Sequence, residues 1–530
     1  MMRLSKSVMA VVLTGLVLNG MAGGIYAPNF GEGRYILTPP VKEQPMIHGP
    51  SVFGVRPGSP FLYTIPATGK TPLSFAVKNL PAGLTVDPRS GTISGKIQSL
   101  EKRDYKVVLQ AENEAGLDEK EWTIKVADEI CLTPPLGWNS WNCWGHQVDQ
   151  EKVLASARAM VDKGLKNFGW TYINIDDAWQ GKRGGEFNAI QGNPEKFPEM
   201  KQMCDEVHAL GLKIGIYSSP WVTTYAGFVG GSSENEDGFW SAEKYAASKE
   251  VKRAHQVVAK YKFDENDAKQ WAAWGIDYLK YDWNPNDPES TLRMAHALRN
   301  SGRDIVYSLS NTAPLEHAEL YAKEVNCWRT AGDLKDRWDQ DGAHLNIIDQ
   351  WERHRHWIEE GQRGGPGHFP DPDMLVVGRV VEGNKGKEPR PSRLTPDEQY
   401  AHISLWTLWS APMLIGCPIE MMDEFTKNLL CNDEVLAIHQ DEKAIPAVSV
   451  VVKDEYEILV KDLADGEKAI GIVNKDDKAR TVSIDWKKAG IRGRKQLRDV
   501  WRQKDIGTYA GSFTAKIPSH GVVLVRTSNP

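Results

Sequence analysis

The sequence has few cysteines, little excess charge and no long apolar run, and each absence excludes a class of protein. Six cysteines in 530 residues are too few for a scaffold held together by disulfides. The 64 Lys and Arg residues nearly balance the 70 Asp and Glu residues, so we expect no nucleic-acid partner. With 25% charged and 41% hydrophobic residues, the chain is typical of globular proteins, and its length predicts about two to four domains.

The first 22 residues have the layout of a secretory signal. Arg3 and Lys6 precede an apolar stretch, Val8–Leu18, and small residues follow up to Ala22. A stretch of about 11 apolar residues is too short to cross a bilayer, which needs ~20, so we do not expect an integral membrane protein. We expect residues 1–22 to be a cleaved signal peptide and the protein to be exported, to the periplasm or out of the cell.

Residues 45–127 have the pattern of a small all-β module. Apolar and polar residues alternate over Tyr105–Ala111 and again over Trp122–Val126, which is typical of half-buried strands. Between earlier strands, Asp87–Gly91 has the composition of a tight turn. The stretch resembles the immunoglobulin-like (Ig-like) domain attached to many bacterial polysaccharide-degrading enzymes. The resemblance implies a spacer or packing module, with independent sugar binding as the alternative.

Residues 133–440 repeat a short apolar strand followed by a helical stretch. Helices are predicted to start at Asp287-Pro288 and Thr395-Pro396, and to end at Gly211 and Gly275. Eight such units over about 300 residues predict a closed (β/α)8 TIM barrel. An open doubly wound sheet is the alternative, but no Gly-x-Gly-x-x-Gly motif opens the first unit. The predicted strands are Leu136–Asn139, Tyr172–Asp177, Lys213–Ser219, Tyr278–Trp283, Ile305–Ser310, Asn326–Asp333, Asp373–Gly378 and Ala411–Cys417.

Residues 447–530 return to a period of two. The pattern predicts a C-terminal antiparallel β-sandwich, with strands at Val448–Val452, Glu455–Lys461, Ala469–Val473, Arg480–Asp485 and Gly521–Arg526. The predicted fold class is therefore multidomain: a central (β/α)8 TIM barrel between an N-terminal Ig-like β-sandwich and a C-terminal antiparallel β-sandwich.

Acidic and aromatic residues stand at the carboxyl ends of most predicted barrel strands. An isolated Asp in such a place is usually a helix cap, but six strand ends show the same feature. Barrel strands are parallel, so these ends converge on one rim, where barrel active sites lie. Carboxylates and Lys bind hydroxyl groups, and indole faces stack on the apolar face of a pyranose, so the rim predicts a carbohydrate substrate. The residues are Trp138, Trp141, Asp176, Asp177, Trp179, Tyr217, Trp221, Lys280, Asp282, Trp283, Arg329, Asp333, Asp371 and Asp373.

Two of these carboxyl groups are candidates for the chemistry of glycosidic cleavage, which needs one carboxylate to attack and one acid to protonate the leaving oxygen. Asp282 stands two positions after Lys280, whose charge favours an ionised carboxylate, as a nucleophile requires. Asp333 stands four positions after Arg329 and is the candidate general acid.

Six segments of the barrel region resemble glycoside hydrolase family 27, the α-galactosidase or melibiase family of retaining enzymes. They are Leu136–Trp141, Tyr172–Trp179, Lys213–Tyr217, Leu279–Asp282, Trp328–Asp333 and Asp371–Leu375. The resemblance implies that Asp282 is the nucleophile and Asp333 the acid/base, and that no cofactor or metal takes part. It also implies a sugar pocket lined by Trp141, Asp176, Asp177, Tyr217, Lys280, Arg329 and Asp373.

The sequence departs from the family pattern in two regions. Many relatives have a disulfide where this chain has Tyr225 and Asn284, so we expect the site to be braced in another way. The long segment 222–263 has few familiar motifs and is assigned no site residue.

The fifth predicted strand bears on the choice of sugar. Relatives specific for galactose often have Glu where this chain has Ser310, and a bulkier residue where it has Ala313. Small residues there resemble relatives that accept a 2-acetamido group, so Ser310 is a candidate substrate contact. The resemblance favours an α-galactosidase, with α-N-acetylgalactosaminidase and β-L-arabinopyranosidase as alternatives. A non-catalytic glycan-binding protein on a decayed barrel is the competing class.

Overall fold

The structure, a computed structural model, describes residues 24–31, 33, 35–238, 254–361, 363–381 and 387–530. The predicted signal peptide lies outside the described residues. Among the described residues, no helix combines the length and the apolar character needed to cross a membrane.

The N-terminal domain consists of two sheets that share one core. Val52–Val55, Gly116–Val126, Arg103–Asn113 and Ser74–Lys78 form a four-stranded sheet, and Phe61–Thr64, Thr92–Gly95 and Leu84–Val86 form a three-stranded sheet. A short pair, Met46–Ile47 and Ala67–Thr68, lies beside them. The predicted alternation places Val107, Leu109 and Trp122 in the core between the sheets. This arrangement confirms the predicted Ig-like β domain.

Eight parallel strands form the central barrel, in agreement with the sequence prediction. Barrel strands 1 to 8 are Leu136–Asn139, Tyr172–Asn174, Lys213–Ser218, Tyr278–Asp282, Val306–Ser310, Cys327–Arg329, Phe369–Asp371 and Met413–Ile415. Each pairs in parallel with its neighbours, in the order 7-6-5-4-3-2-1-8. The ring closes between strands 7 and 8 through Leu375, whose N–H donates to Leu414 O (2.9 Å) and whose carbonyl accepts from Gly416 N (3.1 Å).

The position predicted for the seventh strand was wrong. We expected Asp373–Gly378, but the strand that pairs with strand 6 is Phe369–Asp371. The apolar run after Asp373 resembles a strand because it is buried, yet only Leu375 pairs with strand 8. Asp373 therefore follows the strand end and points its carboxylate into the rim.

Helices pack around the barrel and begin where the cap signals predicted. The Asp287 carboxylate accepts from Ser290 N (2.7 Å), and Thr395 and Glu398 form a capping box. Gly275 ends helix Asp264–Trp274 with φ +95°, a value that glycine adopts without strain. In the part of the chain that the structure describes, the α-helices are Gln150–Asp162, Met200–Ala209, Asp264–Trp274, Pro288–Arg299, Ala318–Glu324, Ile347–Glu360, Pro396–Leu408, Glu424–Leu430 and Asp433–His439. Small strand pairs in the loops are Gln180–Gly184 with Ala189–Gly192, Ser232–Ser233 with Tyr261–Lys262, and Arg379–Val380 with Arg390–Pro391.

The C-terminal domain is an antiparallel β structure with its own core. Its six-stranded sheet has the order Val448–Val452, Tyr456–Asp462, Lys468–Asn474, Val522–Ser528, Arg494–Asp499 and Lys504–Ala510. Arg480–Asp485 pairs with Ser512–Ile517. The strands at 494–499, 504–510 and 512–517 were not predicted from the sequence. The first two are largely polar and partly exposed, so apolar alternation is weak there.

The two flanking domains attach to different parts of the barrel. Asp304, which precedes strand 5, accepts hydrogen bonds from Arg56 N (3.0 Å) and Ser59 Oγ (2.9 Å) of the Ig-like domain. The Ig-like domain therefore covers the amino ends of the strands and leaves the opposite rim open. The C-terminal domain packs on helix Pro396–Leu408, where Trp501 Nε1 donates to Ser404 Oγ (2.8 Å). All six cysteines are described and are free thiols, so Cys131 and Cys143 do not pair.

Candidate active site

A cavity of about 540 Å³ opens at the carboxyl ends of the barrel strands. Nine of the ten predicted site residues line it: Trp141, Asp176, Asp177, Tyr217, Lys280, Asp282, Arg329, Asp333 and Asp373. The tenth, Ser310, lies below it in a smaller cavity of about 260 Å³. A larger cavity of about 1090 Å³ separates the Ig-like domain from the opposite end of the barrel. Its lining is mostly prolines, apolar side chains and barrel-end loops, and it lacks the cluster of carboxylates seen at the rim.

The floor of the rim cavity consists of two buried ion pairs. Lys280 Nζ lies 2.8 Å from Asp176 Oδ2, and Arg329 Nη1 lies 2.9 Å from Asp373 Oδ1. Lys280 lies in strand 4 and Arg329 in strand 6. Asp176 follows strand 2, and Asp373 follows strand 7. Asp373 has φ +81°, and its carboxylate accepts from Leu334 N (2.8 Å), which ties the loop after strand 7 to the loop after strand 6. The floor thus offers fixed donors and acceptors to sugar hydroxyl groups.

Hydrogen bonds between side chains and backbone brace the loops that carry Tyr225 and Asn284, where no disulfide is present. Ala226 N donates to Asp177 Oδ2 (2.8 Å), which holds the loop after strand 3 against strand 2. Tyr225 lines the cavity and packs edge-on against Trp221, with ring centroids 5.1 Å apart. On the other side, Asn286 Nδ2 donates to the carbonyl oxygen of Ser310 (3.1 Å) and so joins the loop after strand 4 to strand 5.

Asp282 is buried and held at both carboxylate oxygens. Tyr217 donates its hydroxyl hydrogen to Oδ2 (2.9 Å), and Asn311 Nδ2 donates to Oδ1. Burial raises the pKa of Asp282 to about 6. Lys280 acts on this pKa in the direction that the sequence predicted, but its charge is outweighed by burial.

Asp333 stands at the mouth of the cavity, with 43% of its side chain exposed. Its Oδ1 lies 3.5 Å from Arg329 Nη2. Burial opposes ionisation of Asp333, but the cations around it, chiefly Arg329 and Lys335, hold its pKa below the usual carboxyl value. The loop that carries it is fixed, because Asp336 pairs with Arg390 Nη1 (2.6 Å) and Arg393 Nη2 (3.0 Å).

The two carboxyl groups share one cavity, so their proton equilibria are coupled. In the resting protein, burial favours a proton on Asp282, whereas neighbouring cations favour ionised Asp333. The pair therefore holds its last proton mainly on Asp282.

Six further residues line the cavity and were not predicted from the sequence. They are Asn142, Tyr225, Asn311, Leu334, Lys335 and Met374. Asn311 had the clearest signal, because Asn directly after a strand readily adopts positive φ, here +64°. The others reach the cavity through loop geometry that spacing does not encode.

Family models match nearly the whole described chain. The model "Alpha galactosidase A" matches residues 133–251 and 250–441, which include every residue of the site. The chain belongs to this α-galactosidase family. The models "Alpha galactosidase C-terminal beta sandwich domain" and "Putative Ig domain" match residues 453–527 and 44–127.

Individual relatives of this α-galactosidase family member agree with the assignment. Alpha-galactosidase A of Cellvibrio japonicus is 33% identical over 428 residues, which cover 76% of this chain and 93% of the relative. A Bacteroides fragilis structure named "putative alpha-galactosidase/melibiase" is 32% identical, with a TM-score of 0.77 over 92% of this chain and 98% of that one. A β-L-arabinopyranosidase structure from Geobacillus stearothermophilus is 27% identical, with a TM-score of 0.61 over 75% of this chain and 96% of that one. The protein is a glycoside hydrolase.

Proposed function

We propose that the protein removes terminal α-D-galactosyl residues from oligo- or polysaccharides by a retaining double displacement. The observation that carries this proposal is the placement of Asp282 and Asp333 in one cavity, above a floor of ion-paired polar groups. The relatives named α-galactosidase support galactose as the sugar.

Each carboxyl group has a role that fits its position. Asp282, held at the inner wall by Tyr217 and Asn311, attacks the anomeric carbon. Asp333, at the mouth, protonates the departing oxygen and then deprotonates the water that hydrolyses the glycosyl-enzyme. The two inversions give net retention. The ion pairs of Lys280 and Arg329 keep the sugar-binding side chains in place throughout.

The proposed mechanism requires ionised Asp282 and protonated Asp333, the reverse of the arrangement that the resting site favours. Substrate binding shifts the proton from Asp282 toward Asp333. The leaving group displaces water from the exposed side of Asp333, and this desolvation raises its pKa. Positive charge that develops at the anomeric carbon stabilises ionised Asp282. Both effects move the shared proton toward Asp333.

The stereochemical outcome tests the mechanism directly. We expect an NMR time course with an α-galactoside to show α-galactose as the first product. β-Galactose as first product would contradict double displacement. Asp282→Asn should lose activity by orders of magnitude while it still binds galactose, and near-normal turnover would remove Asp282 from the mechanism.

A panel of chromogenic substrates tests the choice of sugar. We expect the highest kcat/KM on the α-galactoside, with the α-N-acetylgalactosaminide and the β-L-arabinopyranoside as the comparison substrates. Ser310 lies below the cavity, so its role as a sugar contact remains a prediction. No turnover of any of the three would favour the competing class, a glycan-binding protein without activity.

Export is also a proposal, supported by the composition of residues 1–22 alone. Cell fractionation should recover the protein outside the cytoplasm, with a mature N-terminus just beyond Ala22. A cytoplasmic protein that retains Met1–Ala22 would contradict it.

A further inference from the structure

Lys335 supplies a positive charge to the wall of the active-site cavity. It is half-buried and lines the cavity beside Asp333 and Leu334. Among the described residues, no carboxylate forms an ion pair with it, whereas the other two cations of the cavity, Lys280 and Arg329, are paired.

The backbone around Lys335 is fixed. Lys335 N donates to Leu345 O (2.9 Å), and Leu345 N donates to Asp333 O (3.0 Å), so both ends of this loop run side by side. The adjacent Asp336 is already engaged by two arginines and does not neutralise Lys335. The ammonium group is therefore attached to a rigid segment and available to a ligand.

Lys335 lies on the leaving-group side of the scissile bond if the proposed function holds. Asp333 protonates the leaving oxygen, so residues next to Asp333 at the mouth face the acceptor, whereas the floor faces the galactosyl ring. His344, on the same loop, adds a second basic group near Asp333. The charged groups around Asp333 are Lys335 on this loop, Arg329 and Lys280 below, and the carboxylates of Asp282 and Asp373 across the cavity.

An unpaired cation beside the general acid is unfavourable for catalysis. It stabilises the ionised form of Asp333, which cannot protonate the leaving oxygen. An anion bound to Lys335 would cancel this field and help Asp333 to keep its proton.

We propose that Lys335 binds an anionic group of the acceptor, so that the enzyme prefers α-galactosides whose leaving sugar carries a carboxylate or a sulfate. This inference rests on the proposed function and specifies its substrate class. Acceptor binding and proton supply would then be linked, because the same ion pair orients the leaving sugar and relieves the field on Asp333.

The test compares three disaccharides with the same linkage, in which galactose is attached to glucose, glucuronic acid or glucose 6-sulfate. For the wild-type enzyme, kcat/KM should be higher on the acidic substrates than on the neutral one. In Lys335→Met this ratio should fall by about threefold to tenfold, as expected for a partly exposed ion pair. Lys335→Glu should invert the preference. High salt should lower the ratio in the wild type only. The uronate and sulfate arms show which anion is preferred.

Lys125→Met is the matched control, because Lys125 is exposed on the Ig-like domain and the substitution changes the net charge equally. It should leave the ratio at the wild-type value. Equal ratios in the wild type, Lys335→Met and Lys335→Glu would overturn the role of Lys335 while the proposed function stands. Failure of the wild type to release galactose from any of the three would overturn both.

Discussion

Asn311 donates a hydrogen bond to Asp282, and Asn311→Gly removes that bond with little effect on the backbone. Asn311 has φ +64°, a conformation that glycine adopts without strain, so the loop should keep its path. The only group lost is the side-chain amide that donates to Asp282 Oδ1. The loop remains attached to strand 6, because Ala313 N still donates to Arg329 O (2.9 Å).

The expected size of the effect follows from the charge on the acceptor. A hydrogen bond to an ionised group contributes about 1.5–3 kcal/mol. In the variant, a water molecule can donate to Asp282 in place of the amide, so the net loss is smaller. A net loss of about 1.4 kcal/mol raises the pKa of Asp282 by about one unit and lowers the share of the reactive proton arrangement about tenfold. Since the pKa of Asp282 is already raised to about 6 by burial, the active, singly protonated pair loses its last proton near that pH.

The assay is kcat/KM against pH with a chromogenic α-galactoside. The wild type should give a bell-shaped profile whose upper limb lies near pH 6, because above it both carboxyl groups are ionised. Asn311→Gly should lower the plateau about tenfold and move the upper limb to higher pH by about one unit. Tyr217→Phe removes the donor to Oδ2 and should shift the limb in the same direction. A lower plateau with an unmoved limb would refute the reasoning. That result would mean that the substitution loosens the loop and leaves the pKa of Asp282 unchanged.

Three other substitutions probe the acid and the scaffold. Asp333→Ala should reduce kcat/KM on disaccharides about 10²–10⁴-fold but much less on nitrophenyl galactosides, whose leaving groups need no proton; equal losses on both would argue against an acid role. Arg183→Met removes the partner of Asp267, which is buried and lies 2.6 Å from the guanidinium. Urea denaturation should show a free energy of unfolding lower by about 3–5 kcal/mol, and an unchanged midpoint would contradict this. Gly215→Ala would place a Cβ 2.1 Å from Asn174 Oδ1 in the barrel interior, and we expect about 1–3 kcal/mol of destabilisation; thermal unfolding identical to the wild type would show that the barrel relaxes.

The order of the barrel elements was predictable because its signals are local. Seven strands were predicted within a few residues of their positions, and the caps at Asp287 and Thr395 lie where expected. The seventh strand was misplaced because Phe369-Pro370-Asp371 is short and contains a proline, while Asp373 is followed by four consecutive buried apolar residues. Pairing with strand 6, and not side-chain pattern, decides which of the two segments is the strand.

The chemical state of the site was less predictable than its residues. Neighbours in sequence suggested that Lys280 would keep Asp282 ionised, but Lys280 pairs directly with Asp176. How deeply Asp282 is buried depends on the packing of all eight strands, and burial outweighs the cation. Asn311 was missed for a related reason: its hydrogen bond to Asp282 depends on a positive φ and on the register between strands 4 and 5.

Only one of the two flanking domains contacts a loop of the active-site cavity in the described part of the chain. The Ig-like domain contacts the amino ends of the strands, through Asp304 and Gly211, far along the strands from the carboxylates. The C-terminal domain reaches the loop of the proposed acid, because His520 stacks on Trp338 with centroids 4.9 Å apart. The same histidine lies 2.7 Å from Glu398, which caps the helix after strand 7. Trp338 follows Asp333 by only five residues, so the C-terminal sandwich and the two arginines paired with Asp336 together hold the mouth of the cavity. The proposed acceptor selection by Lys335 depends on the rigidity of this loop. That rigidity comes from contacts outside the barrel strands.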